Sequence, residues 1–245
     1  MAFLSVNINK VATLRNSRGK DTPNLLAVTQ TILDLGVKGI TVHPRPDERH
    51  IKKADVFELK PFLNERNIEF NIEGYPTDDF LNLIAEVKPL QCTLVPDPPE
   101  TLTSNAGWNI IKNKELLKKV IAQIKTSGVR SAIFIDPTQF NNEQFEALVE
   151  VAPDRVELYT EEFADSFNGS KANEILKLYS GWAKKIKATA IGINAGHDLN
   201  QKNLGKFLSE IPEIDEVSIG HAIFCESIYD GLKPTIKSYL KICEQ

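Results

Sequence analysis

Short β-branched or apolar runs alternate with longer amphipathic stretches from one end of this 245-residue chain to the other. That alternation implies a parallel sheet whose strands are joined by crossover helices. The strands predicted are 3–8, 39–42, 69–72, 91–95, 131–135, 155–158, 190–194 and 216–219. Helices are predicted between and after them at 25–35, 55–64, 78–87, 114–127, 143–151, 171–187, 202–209 and 229–243. Eight such units in a chain of this length fit an α/β (β/α)8 barrel better than a doubly wound sheet, which has fewer strands and a glycine-rich first turn. Neither GxGxxG nor GxxxxGK[ST] occurs, and no repeat, low-complexity tract or Gly/Ser linker interrupts the series, so residues 1–245 read as one barrel domain. The longest irregular stretch, 96–113, is long enough to be a lid or binding loop.

Composition narrows the function. A hydrophobic content of 42% with 25% charged residues suits a globular protein with a full core. A net charge of −4 argues against a general nucleic-acid surface. Cys92, Cys225 and Cys243 are odd in number and contain no CxxC pair, which points to neither a disulfide framework nor a zinc ribbon. No basic leader and no apolar run of about 18 residues is present, so the expectation is a cytoplasmic protein without a membrane anchor.

The chemistry is expected at the C-terminal ends of the strands, where a barrel brings distant residues to one mouth. All four histidines, His43, His50, His197 and His221, fall at strand ends or in the loops that follow. Histidine titrates closest to neutrality, so such placement suggests proton transfer or phosphate binding. The other strand ends add Asn7, Asn9, Arg45, Glu73, Thr93, Asp136, Glu157, Asn194 and Gly220. Glu73 closes the apolar strand EFNIE, where burial raises a carboxyl pKa toward that of a general base, although a salt bridge to an arginine would serve equally. Asp136 in IDPT reads as a structural helix cap.

Seven arginines stand against 22 lysines, and Arg15, Arg18, Arg45 and Arg49 follow the first two strands, as bidentate phosphate recognition would require. The GHA turn at 220–222, with Gly196 in the preceding loop, marks a second anion site at a helix start. A catalytic metal is disfavoured, because the first strand carries Asn7-Ile8-Asn9 where a metal barrel carries His-x-His. A Schiff-base lysine has little support, because no predicted strand interior or end except Lys10 offers one.

The runs SVNINKVATLRNSRG (5–19), GITVHPRPDERHI (39–51), FNIEG (70–74), LVPDPPETLTSNAGW (94–108), RVELYT (155–160), INAGHDL (193–199) and SIGHAI (218–223), in this order, resemble the pyridoxine 5′-phosphate synthase (PdxJ) family. The resemblance implies a (β/α)8 barrel with extra helices, assembled as a homo-octamer built from dimers. It implies a condensation of 1-deoxy-D-xylulose 5-phosphate with 3-amino-2-oxopropyl phosphate to pyridoxine 5′-phosphate, phosphate and water, without a cofactor. By the same resemblance His43 and Glu73 match proton acceptors and His197 a proton donor. Asn7, Arg18, Arg45, His50, Thr103, Gly220 and His221 match substrate-binding positions, to which Asn9, Lys10 and Asp198 are added; Glu157 takes a supporting role. The chain departs from the common pattern at Asn9-Lys10, at Asn105-Ala106 and at Asp198, where many members have Asp-His, an acidic-glycine pair and glycine. Two other readings remain: a phosphate-binding barrel isomerase acting on a single sugar phosphate, and a phosphosugar-binding protein without turnover.

Overall fold

The computed structural model describes residues 1–96 and 107–245. Eight parallel strands close into a barrel in sequence order: β1 (Phe3–Asn7), β2 (Gly39–Val42), β3 (Glu69–Gly74), β4 (Gln91–Leu94), β5 (Arg130–Ile135), β6 (Arg155–Tyr159), β7 (Gly192–Gly196) and β8 (Glu216–Ile219). The seam is β1 against β8, in register Phe3 to Glu216 through Val6 to Ile219.

Eleven helices surround it among the described residues. One follows each of β2 to β5 and β7: α3 (Lys53–Asn64), α4 (Asp78–Val87), α5 (Ile110–Thr126), α6 (Asn142–Val151) and α9 (Leu204–Glu210). Two follow each of β1, β6 and β8: α1 (Asn9–Asn16) with α2 (Leu25–Leu33), α7 (Glu161–Ser166) with α8 (Ala172–Lys187), and α10 (His221–Asp230) with α11 (Leu232–Cys243). The extra helices α1, α7 and α10 each start within two residues of a strand end, at the mouth. Side-chain caps set several of the others: Asn24, Thr77, Asn109 and Asn141 accept from backbone N–H groups in the first turns of α2, α4, α5 and α6.

Sequence periodicity misplaces three features. The helix expected over 229–243 is two helices, the first starting at His221, with the break at Gly231. The short helices α1 and α7 have no counterpart among the predicted helices; the α1 sequence NKVATLRN buries Val11, Ala12 and Arg15 and leaves Leu14 exposed, an apolar face too weak to recognise. Strand β7 lies two residues beyond the expected 190–194, which moves Gly196 from a loop to the last strand position.

Each strand sends its apolar side chains outward into the helices. Ile40, Val42, Phe70, Ile72, Ile133, Ile135, Val156 and Leu158 are at most 1% exposed. The alternate side chains, pointing inward with the period of two, are mostly polar, with Ala132 and Phe134 of β5 as apolar exceptions. Ser5 and Thr41 share a hydrogen bond of 2.8 Å, Thr93 donates to Asn71 at 3.0 Å, and Arg130 donates to Gln91 at 2.9 Å and pairs with Glu69. Arg155 donates to Asn194 and to Glu216, at 2.7 and 2.9 Å. This interior differs from the branched apolar layers that usually fill such barrels.

Candidate active site

The strand ends converge as a barrel requires. His43 follows β2 and faces Glu73 near the end of β3, with Nδ1 4.0 Å from the carboxylate. Asn7, the last residue of β1, donates from Nδ2 to the same Glu73 oxygen at 3.4 Å. Its Oδ1 accepts from the Asn9 backbone N–H, and the Asn9 side-chain oxygen in turn accepts from the His43 backbone N–H, at 3.1 and 3.0 Å. Asn9 therefore ties the start of α1 to the residue that leaves β2.

On the opposite side of the mouth, the His197 ring packs edge-on against Phe134 and Tyr159, with centroids 4.8 and 5.3 Å apart. His197 and Asp198 both adopt left-handed backbone, φ +71° and +53°, at a cost of about 1 kcal/mol or more each. Asp198 thus takes the conformation that glycine would adopt more easily, and its carbonyl accepts from Asn203 Nδ2 at 3.1 Å.

Two glycines are required by close approach. A Cβ on Gly196 would lie 2.6 Å from Glu157 Oε1, and one on Gly220 would lie 2.7 Å from the Asn7 carbonyl oxygen. Gly220 precedes α10, whose first N–H groups have no partner within the helix.

Burial sets the protonation states. The Glu73 carboxyl is pushed up to about 8 by desolvation. Glu157, 1% exposed in the middle of β6, is driven well above its ordinary value by burial and by the nearby Glu73 and Glu216. The histidines go the other way: His43 falls to about 3, first by burial and then by Arg45, while His50 falls to about 4 by burial and by Arg49. His197 falls to about 4 by burial. Burial thus favours the protonated carboxyl at Glu73 and neutral imidazoles at His43, His50 and His197.

Arg45 and Arg49 disfavour the charged form of His43, and Arg49, Arg45 and Lys10 that of His50, so the arginines and Lys10 make this side of the mouth cationic. A cavity of about 550 Å³ opens beside it, lined by His43, Arg45, Lys53, Tyr75 and Phe80 among others.

The expected residues divide. Asn7, Asn9, His43, Arg45, His50, Glu73, His197 and Gly220 gather around the mouth. Lys10, Arg18, Asp198 and His221 are exposed at its rim, on or beside α1, β7 and α10. His221 lies 3.4 Å from the Cys225 thiol through Nε2. Thr103, and Asn105-Ala106 with it, lie outside the described residues.

Three readings need correction. Arg15 is 8% exposed and forms a bidentate pair with Asp55, at 2.6 and 2.8 Å, while its Nε donates to Asn16, so it is buried and braces α1 against α3 instead of reaching for phosphate. Asp136 caps no helix: it closes a turn by accepting from Thr138 and Gln139. Glu157, Thr93 and Asn194 are interior barrel residues below the mouth, not strand-end groups. The strand alternation in EFNIE, RVELY and EVSI carried the signal of a polar interior, since parallel strands buried on both faces are ordinarily apolar throughout.

A family model described as pyridoxal phosphate biosynthesis protein PdxJ matches residues 4–245. This chain belongs to the PdxJ family. A relative in Christiangramia forsetii named pyridoxine 5′-phosphate synthase is 51% identical over 242 residues, covering 99% of both chains. One of the same name in Bacteroides thetaiotaomicron is 48% identical over 241 residues, covering 98% of both. More distant likeness extends beyond the PdxJ family and concerns the barrel alone. Tryptophan synthase from M. tuberculosis matches with a TM-score of 0.67 at 14% identity, covering all of this chain and 93% of the other. Phosphoribosyl anthranilate isomerase from Thermotoga maritima matches at 0.64 and 12%, covering all of this chain and 99% of the other.

Proposed function

We propose that this PdxJ-family chain is a pyridoxine 5′-phosphate synthase, joining 1-deoxy-D-xylulose 5-phosphate to 3-amino-2-oxopropyl phosphate by acid–base catalysis. The observation that carries the reading is the pairing of a buried carboxyl–imidazole couple, Glu73 and His43, with positive charge on one flank and an open helix start at Gly220 on the other. Two anion sites suit two phosphorylated substrates. On this reading Arg45, His50 and the rim residues Lys10 and Arg18 face one phosphate. Gly220 and His221, with Asp198 beside them, face the other, and Thr103 belongs with them from the sequence match.

The protonation states explain how neutral imidazoles and a protonated carboxyl become the working set. An ammonium beside Glu73 favours its carboxylate, and a phosphate beside the histidines favours the imidazolium. Substrate charge thus turns Glu73 into an acceptor and His197 into a donor, while His43 accepts as the neutral imidazole that its burial already favours. The amine of one substrate attacks the carbonyl of the other, so the chain needs positioned acids and bases and no electron sink. Glu157, whose carboxyl burial pushes well above its ordinary value beneath the mouth, supports the group from below.

The same reading places the protein in the cytoplasm as an octamer of four dimers. Among the described residues no helix is long and apolar enough to cross a membrane. Ile228 and Tyr229, 80% and 89% exposed on α10, are apolar surface that another copy would cover; sedimentation of the purified protein tests this.

The decisive experiment for activity is incubation with both substrates and detection of pyridoxine 5′-phosphate by mass. No product from both, with turnover of a single sugar phosphate alone, would establish the isomerase reading instead.

A further inference from the structure

Thr160 follows β6 and occupies the position before the first turn of α7, where a threonine hydroxyl ordinarily caps the helix. Here it caps nothing. The side chain is fully buried, and its hydroxyl donates to the Gly196 carbonyl at 2.5 Å while also lying against the carbonyl of His197. Successive carbonyls of an extended strand point to opposite sides. Both reach one hydroxyl because the backbone leaves β7 through left-handed conformations at His197 and Asp198. The end of β6 is itself anchored, since Tyr179 on α8 donates from its hydroxyl to the Tyr159 carbonyl at 2.7 Å.

The His197 imidazole has no comparable restraint of its own. Among the described residues its Nδ1 is buried without a hydrogen-bond partner, and the ring is held by edge contacts to Phe134 and Tyr159. Its place over the mouth is therefore set by the backbone beneath it. We propose that Thr160 is a positioning residue for His197, the clamp that retains the left-handed exit of β7 and so aims the imidazole into the site. The proposal rests on the proton-donor reading of His197 given above. The His197 carbonyl also accepts from the Leu199 N–H, at 2.6 Å, so a hydrophobic replacement leaves that turn in place but cuts its tie to β6, and the exit of β7 would shift and carry the ring with it.

The test compares Thr160→Val, which keeps the shape and removes the hydroxyl, with Thr160→Ser, which keeps the hydroxyl. Displacing a catalytic group by about 1 Å costs ~10²-fold in rate. Thr160→Val should lower kcat by roughly that factor with KM for each substrate nearly unchanged, and Thr160→Ser should restore most of it. In a His197→Ala background Thr160→Val should have no further effect, because the two changes act through one group. A wild-type kcat for folded Thr160→Val, or the same loss in both backgrounds, would overturn the proposal.

Titration of the His197 ring by NMR separates this from the reading beneath it. Thr160→Val should move the titration from about 4 toward the ordinary histidine value as the ring gains water, and an unmoved titration means there is no clamp. Wild-type turnover by His197→Ala would instead sink the donor reading, and any catalytic part for Thr160 with it, whatever the titration shows.

Discussion

Replacing Glu73 by glutamine should separate the chemical role of this carboxyl from its cost to the fold. The folded protein holds the Glu73 proton up to about 8, against an ordinary value of 4.5, because burial disfavours the carboxylate. The native state therefore binds more protons than the unfolded chain between those values, and stability falls as pH rises through that range. At about 1.36 kcal/mol for each pH unit, the full span from 4.5 to about 8 bounds the loss at about 5 kcal/mol. His43, His50 and His197 act in the opposite sense, since their folded values of about 3 to 4 lie below the unfolded 6.5. Their contribution is complete above 6.5 and is lost as pH falls toward 4. The window between 6.5 and 8 consequently isolates the buried carboxyls. Wild-type stability, measured by urea unfolding at a series of pH values, should decline across it by about 1–2 kcal/mol for each raised carboxyl, Glu73 and Glu216 among them. Glu73→Gln should be flatter there and more stable than wild type at pH 8.5, while losing ~10²–10⁴-fold in turnover. An equally steep decline in the variant would show that Glu73 is not the group being deprotonated, and undiminished turnover would remove it from the chemistry.

Arg15→Ala leaves Asp55 as a buried, unpaired carboxylate and should destabilise the protein by about 3–5 kcal/mol; a change below about 1 kcal/mol in denaturant unfolding would contradict the bracing role. Gly220→Ala places a methyl 2.7 Å from the Asn7 carbonyl oxygen, so it should raise KM for a phosphorylated substrate and shift the start of α10, as a crystal structure of the variant would show. Lys10→Ala should weaken substrate binding with little change in melting temperature, because Lys10 is exposed on α1. Unchanged affinity by calorimetry for both substrates would make it a solvated bystander. Thermal unfolding of His197→Asn should lose less stability than wild type between pH 6.5 and 4, since one depressed imidazole has been removed.

Much of this was legible in the linear sequence because it depends on local periodicity. Eight apolar strands alternating with amphipathic helices leave few arrangements that bury both faces of every strand, so the closed barrel and the mouth where His43, Glu73 and His197 meet follow from pattern alone. The GHA turn was visible as a glycine before a helix start, whereas Gly196 was expected in a loop and ends β7. What tertiary structure decided are relationships between residues distant in the chain. Arg15 resembled the other arginines after β1 and β2, and only the approach of α3 gave it Asp55 as a partner. Glu157 read as a strand-end group, yet closure of the barrel buried it beneath the mouth beside Glu73 and Glu216, where lost water and mutual repulsion push its carboxyl well above the ordinary value. The hydroxyl of Thr160 has a helix start within reach by sequence, and it bonds instead to β7, which lies alongside only after folding. The period of side chains along a strand is a property of the backbone and is written locally. The protonation of a buried carboxyl, and the partner an arginine or hydroxyl finds, depend on distances that exist only once the eight strands have closed.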